Sequence, residues 1–217
     1  MIQIEACVES LEAAVAAAEG GAHRLELCAS LAVGGTTPSS ELLAGCVSQL
    51  DIPVFVMVRP RGGDFHYSAR DHSIMLDEIR RVKEAGAHGI VTGALLPGDT
   101  IDQTRVAELI AAARPLPVTF HRAFDECRDV EQALHAVIKL GAARILTSGQ
   151  AATAPQGAAA IAKLVRLAAG RIGILAGGGI NGDNVAALVQ TSGVREVHLS
   201  TKDADKIRRV VESVRSR

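Results

Sequence analysis

Aromatic side chains are scarce: the 217 residues hold four Phe, one Tyr and no Trp. An excess of charge of one sign is missing too, with 23 Lys and Arg against 24 Asp and Glu and a net charge of −1. A nucleic-acid surface needs a phosphate-neutralising patch and rings on which bases stack, so no nucleic-acid partner is expected. Long apolar runs are also absent. The longest, residues 52–58, stops at Arg59 and falls far short of the roughly 18–20 residues that cross a bilayer, so no membrane partner is expected. The opening MIQIEACVES carries Glu5 and has neither a basic nor an apolar leader block. That argues against a secretory signal and for a cytoplasmic location. Cys7, Cys28, Cys46 and Cys127 form no Cys-x-x-Cys pair, so thiols in a reducing compartment are expected in place of a disulfide framework. No linker or low-complexity tract divides the chain, and residues 1–217 read as one domain.

What is present is punctuation. Gly21, Gly86, Gly141 and Gly193 each stand just before a short apolar stretch, the pattern of a helix C-cap running into a strand. Their spacings of 65, 55 and 52 residues suit two strands and two helices apiece. Four further strand candidates, residues 2–7, 54–59, 118–121 and 172–176, bring the total to eight. Amphipathic segments follow the strands; Val106, Leu109, Ile110 and Ala113 repeat at helical spacing. Thr37, Asp102, Asp129 and Asn181 are the candidate N-caps. Strict alternation of strand and helix requires parallel strands with helical crossovers. Chain length and the two-unit repeat favour a single-domain (β/α)8 barrel of the TIM type over an open doubly wound sheet.

In such a barrel, alternate strand residues face the helices and the interior. This parity turns Gln3, Glu5 and Cys7 inward, with Arg24, Glu26 and Cys28, Phe55, Met57 and Arg59, Thr119 and His121, and Glu196, His198 and Ser200. Buried charge is costly unless paired or used. It is either an internal network, with Arg24 and Arg59 neutralising Glu5, Glu26 and Glu196, or a functional mouth at the C-terminal strand ends, where barrel active sites lie. Charge gathered toward that end favours the mouth.

The residue types there suggest two chemistries. Arg59 ends a strand before a Gly-Gly turn, and guanidinium holds carboxylate or phosphate through paired hydrogen bonds. His121, with Arg122 beside it, ends another strand and is suited to proton transfer. Ser148 and the run Gly177, Gly178 and Gly179 close two further strands, the glycines ahead of a helix where exposed amides bind anions. One reading is therefore an enzyme acting on a small anionic ligand. Arg59, Arg122, Ser148 and the three glycines would bind the anion, His121 would move a proton, and Glu5 or Glu26 would be its partner. The second chemistry is metal binding. Cys7 and Cys28 lie inward on neighbouring strands, where soft thiolates select Cu(I) or Zn. Cys127 is a further candidate ligand and Cys46 a core residue.

Several motifs stand together in order: EACVES at residues 5–10, HRLELC at 23–28, GGTTPS at 34–39, RPRGGDF at 59–65, TFHRAFD at 119–125, LTSGQ at 146–150 and GGGI at 177–180. With these the sequence resembles the CutC family of copper homeostasis proteins along almost its whole length. The resemblance implies a cytoplasmic (β/α)8 barrel linked to copper handling, with Cu(I) bound at Cys7 and Cys28, and leaves a homo-oligomer open. One departure is visible. Family members carry a longer glycine- and serine-rich stretch before the last helix, whereas here HLSTK at residues 198–202 runs directly into Asp203.

Overall fold

In the computed structural model, which describes residues 1–215, Gly21, Gly86, Gly141 and Gly193 take φ between 71° and 95°. Glycine adopts that left-handed conformation without the strain a Cβ brings, so at each the chain leaves a helix and turns into a strand. The barrel strands are β1 (Gln3–Val8), β2 (Arg24–Leu27), β3 (Val54–Met57), β4 (Gly89–Thr92), β5 (Val118–Phe120), β6 (Arg144–Thr147), β7 (Gly173–Gly177) and β8 (Glu196–Ser200). They run parallel in sequence order, and β8 pairs back onto β1 to close the barrel. A helix follows each: α1 (Leu11–Glu19), α2 (Ser40–Gln49), α3 (Ala69–Glu84), α4 (Gln103–Ala113), α5 (Val130–Leu140), α6 (Ala158–Ala168), α7 (Val185–Ser192) and α8 (Ala204–Arg215). The (β/α)8 barrel expected from the alternation is the fold.

Parity sorts the apolar residues into two bodies. Ile4, Ala6, Leu25, Leu27, Val54 and Val56 join the helix faces, among them Leu43, Ile79 and Val82, in one continuous core. Each buried aliphatic side chain there contributes about 1.5–3 kcal/mol relative to exposure. Inside the barrel, Cys7, Cys28, Phe55, Met57 and Val91 form a separate cluster. The other two cysteines lie outside it. Cys46 belongs to the helix–strand core, as expected. So does Cys127, whose thiol donates to the Ala123 carbonyl, which places it apart from Cys7 and Cys28.

Local details differ from the sequence reading. Asp102 and Asp129 cap α4 and α5 as expected, accepting from the Arg105 and Gln132 amides. Thr37 does not cap α2; Ser39 does, accepting from the Leu42 amide. The Thr37 hydroxyl is occupied instead, accepting from the Arg59 amide at 3.0 Å and donating to Glu78 Oε2 at 2.7 Å. Nor does Asn181 cap α7. Its Oδ1 accepts from the Asp183 and Asn184 amides, shaping the turn before the helix. A two-residue antiparallel ladder, Leu95–Leu96 with Thr100–Ile101, follows β4. It fastens the loop after β3, since the Leu95 amide donates to the Phe65 carbonyl.

Candidate functional site

Strand starts supply a charged floor. Arg24, Arg144 and Glu196 are the first residues of β2, β6 and β8. Arg24 donates through Nε to Glu5 Oε2 at 2.5 Å and through Nη2 to Glu196 Oε2 at 2.7 Å, and Arg144 Nε donates to Glu196 at 2.8 Å. Both guanidiniums sit 5.0 Å from the Phe55 ring centroid, one cation on Arg24 and one on Arg144. Gly89 makes room for that ring: a Cβ there would lie 2.2 Å from it. The network expected as an alternative to a mouth thus exists at the N-terminal strand ends. Arg59 has no part in it. Parity fixed the face these charges occupy but not their level along the barrel axis, so Arg24 and Glu196 lie below the mouth where the sequence had set them. Glu5, one of the candidate catalytic carboxylates, is 1% exposed and held in this network.

Above the floor stands His198. Its Nδ1 meets Glu5 Oε1 at 2.8 Å, and its Nε2 lies 3.8 Å from Glu26 Oε2. Burial alone would lower the pKa of His198, but the Glu26 charge, a Cys7 hydrogen bond and Glu5 outweigh it and hold the imidazole well above its ordinary value. Burial would likewise raise Glu5; the His198 hydrogen bond and the Arg24 charge prevail and bring it to about 2. The second candidate carboxylate, Glu26, is favoured by the His198 charge and by the Cys7 and Cys28 thiols, but these do not offset its burial. Burial pushes it up, and its Oε1 has no hydrogen-bond partner among the described residues.

Beside this pair lie the two thiols. The Cys7 and Cys28 sulfurs are 3.7 Å apart, and Cys28 Sγ is 3.5 Å from Glu26 Oε2. Cys7, Glu26 and His198 offer a sulfur, a carboxylate oxygen and an imidazole nitrogen, all within 4.8 Å of one another. The hydrogen bond with Cys28, burial and the Glu26 charge raise the Cys7 pKa well above its usual value. The same bond lowers Cys28, but burial and Glu26 outweigh it and push that thiol up to about 11. His198 was legible as an inward residue yet absent from the candidate ligands. Its register opposite Glu5, on the strand that closes the barrel, is what brings it to the cysteines.

A cavity of about 520 Å³ opens over these groups and extends across the mouth, lined by Cys7, Glu26, Arg59, His121, Gly178 and His198 among others. The candidate anion donors are placed unevenly around it. Arg59 is 3% exposed, with Nη1 donating to the Val33 and Gly35 carbonyls and Nη2 to that of Gly63. Arg122 and Ser148 belong to Asp125, the last residue of the motif at residues 119–125. Asp125 accepts from Arg122 Nε and from the Thr147, Ser148 and Gln150 segment that follows β6. Ser148 also takes a hydrogen bond from Arg122 Nη2 and donates to the Ala151 carbonyl at 2.6 Å. Its hydroxyl is therefore spent within the loop. Gly178 and Gly179 reach the cavity, at φ of 107° and 71°. Gly177 has a packing role: a Cβ there would lie 2.6 Å from Leu146 and 3.2 Å from His198.

His121, the candidate proton carrier, closes the far wall. Its ring packs on Phe65 with centroids 4.7 Å apart. Nδ1 accepts from the Ala123 amide at 3.3 Å, and Nε2 has no partner among the described residues. Burial and the nearby Arg59 charge depress its pKa to about 3, so the ring is neutral. Gly93 sets its position, because a Cβ there would lie 2.8 Å from both Cε1 and Nδ1 of His121 and 2.9 Å from the Phe120 ring. Gly93→Ala should therefore displace the imidazole and cost about 1–3 kcal/mol through overpacking. Urea unfolding measures the loss, and imidazole ¹⁵N shifts of His121 report the displacement. An unchanged ring with unchanged stability would contradict the packing described.

The family model described as the CutC family matches residues 2–203. Among curated relatives, a family protein CutC from Pasteurella multocida is 49% identical over 201 residues, which cover 93% of this chain and 82% of the relative. A human protein named copper homeostasis protein cutC homolog is 47% identical over 199 residues, covering 92% of this chain and 73% of the relative. Among solved structures, one named for the copper homeostasis protein CutC of Streptococcus agalactiae superposes with a TM-score of 0.88 at 35% identity, over 93% of this chain and 99% of that one.

Proposed function

Because the chain belongs to the CutC family, we propose that it serves copper homeostasis by holding Cu(I) at the barrel mouth, with Cys7 and Cys28 as ligands. The observation that carries this reading is the 3.7 Å approach of two buried sulfurs on neighbouring strands. Soft thiolates select Cu(I), and a reducing cytoplasm would keep both thiols available. The surroundings fit a cation: Glu26, whose Oε1 has no partner among the described residues, lines the same cavity as Cys7 and His198. Both thiols are held protonated, so loading must displace protons, and acid should weaken binding.

Competition against a Cu(I) chelator tests the assignment. The protein should bind about one equivalent, and Cys7→Ser or Cys28→Ser should weaken it at least about tenfold, since each removes one of two soft ligands. Cys46→Ser, changed in the helix–strand core, should leave the affinity where it was. Equal affinity in all three variants would remove the cysteine site.

A further inference from the structure

We propose that the barrel mouth also binds a small organic carboxylate, held by the unpartnered Nε2–H of His121 and the buried cation of Arg59. This goes beyond copper and does not rest on it. The cavity of about 520 Å³ has the size of a small-molecule site, commonly about 300–1,000 Å³. An ion between two sulfurs would fill only one corner of it.

Two independent features of the far wall call for an acceptor oxygen. The first is the tautomer of His121. Because Nδ1 accepts the Ala123 amide, the ring proton resides on Nε2, and this N–H is buried without a partner. A buried donor left unpaired is costly unless a ligand completes it. The second is Arg59, whose Nη atoms donate to carbonyl oxygens and whose charge also lies beside the Tyr67 hydroxyl, while its Nε–H has no partner among the described residues. No carboxylate forms an ion pair with it among the described residues. The two groups are neighbours: Arg59 Cζ lies 4.7 Å from the Phe65 centroid, and His121 packs on that same ring. One bound anion would supply both the missing acceptor and the missing counter-charge.

The donor set selects the anion. Arg122 and Ser148, which a phosphate would need as further donors, are committed to Asp125 and to the loop after β6. Asp125, Glu126 and Glu26 also line the cavity and oppose a dianion more than a monoanion. Met57, Leu31 and Phe65 offer apolar wall to a carbon skeleton.

The test is an NMR titration of the copper-free full chain with acetate, pyruvate and inorganic phosphate. Pyruvate or acetate should shift the His121 Nε2 resonance saturably at millimolar concentration, and phosphate should not. His121→Phe keeps a ring but loses the donor and should weaken binding about tenfold. His121→Gln, which retains an amide donor, should recover most of it. The wild-type ¹⁵N shift keeps the test decisive if the Phe variant folds poorly. Phosphate binding more tightly than the carboxylates, no shift at His121 with either carboxylate, or undiminished binding by a folded His121→Phe would each overturn the proposal.

Discussion

Arg24→Met should destabilise the protein by about 3–5 kcal/mol, the cost of stripping one partner from a buried charge pair. The variant keeps much of the aliphatic volume but leaves Glu5, 1% exposed, without its guanidinium. Two residual contacts soften the loss: His198 still meets Glu5, and Arg144 still meets Glu196. The value should therefore fall toward the lower end of that range. Urea-induced unfolding measures it. Adding Glu5→Leu to Arg24→Met should restore part of the stability, because the stranded carboxylate goes with its partner. A single-variant loss within the roughly 0–1 kcal/mol typical of exposed pairs would mean that the floor network is solvated and does not hold the barrel together.

Acid should remove a comparable amount through Glu5 alone. Its folded pKa of about 2 lies below the ordinary 4.5, so its contribution is full above pH 4.5 and is lost as pH falls through 2. That separation corresponds to about 3 kcal/mol. In this window His198 is protonated both folded and unfolded and cancels. At higher pH it acts in the opposite sense: raised above 6.5, it contributes fully below that value and loses its contribution as pH rises through the folded pKa. Glu26, raised by burial, also costs stability as pH climbs. His121 opposes both: its folded pKa of about 3 lies below the ordinary 6.5, so its contribution is full above that value and is lost as pH falls toward 3. The stability optimum should accordingly lie near neutrality. Unfolding free energies of wild type and Glu5→Gln, compared between pH 4.5 and 2, isolate the Glu5 share. Parallel curves would show that Glu5 ionises as it does in the unfolded chain.

Much of the architecture was legible because it depends on short-range chemistry. The left-handed glycines mark where helices hand over to strands, and the alternation of apolar and polar residues separates the helix-facing side from the interior. Level along the axis was not legible. Glu5 and Glu26 look equivalent in their Glu-x-Cys contexts, yet register sets Glu5 beside Arg24 and Glu26 beside Cys7, one in the floor and one in the mouth. A strand's period of two fixes a face, whereas height depends on the stagger between strands. Arg59 illustrates a second limit. Its guanidinium was read as an anion donor, but nothing in the sequence shows that the Val33, Gly35 and Gly63 carbonyls take its Nη atoms and leave Nε–H as the donor still open, because loop carbonyls carry no side-chain signature. Asp125 was not singled out for a related reason, since apart from Arg122 its partners lie more than 20 residues along the chain, and two of them are backbone amides.

The Glu5–His198 contact joins residues 193 positions apart, across the seam where the last strand meets the first. On the ribosome these two halves are made far apart in time. His198 follows Cys28 by 170 residues, a delay of about 10–30 s at elongation rates of roughly 5–20 residues per second. Throughout that interval a nascent chain presents both thiols with no imidazole behind them and with one edge of β1 unpaired. Enclosure of the two sulfurs thus waits for β8, and a chain that stalls before that strand holds Cys7 and Cys28 without the His198 imidazole that stands beside them in the closed barrel.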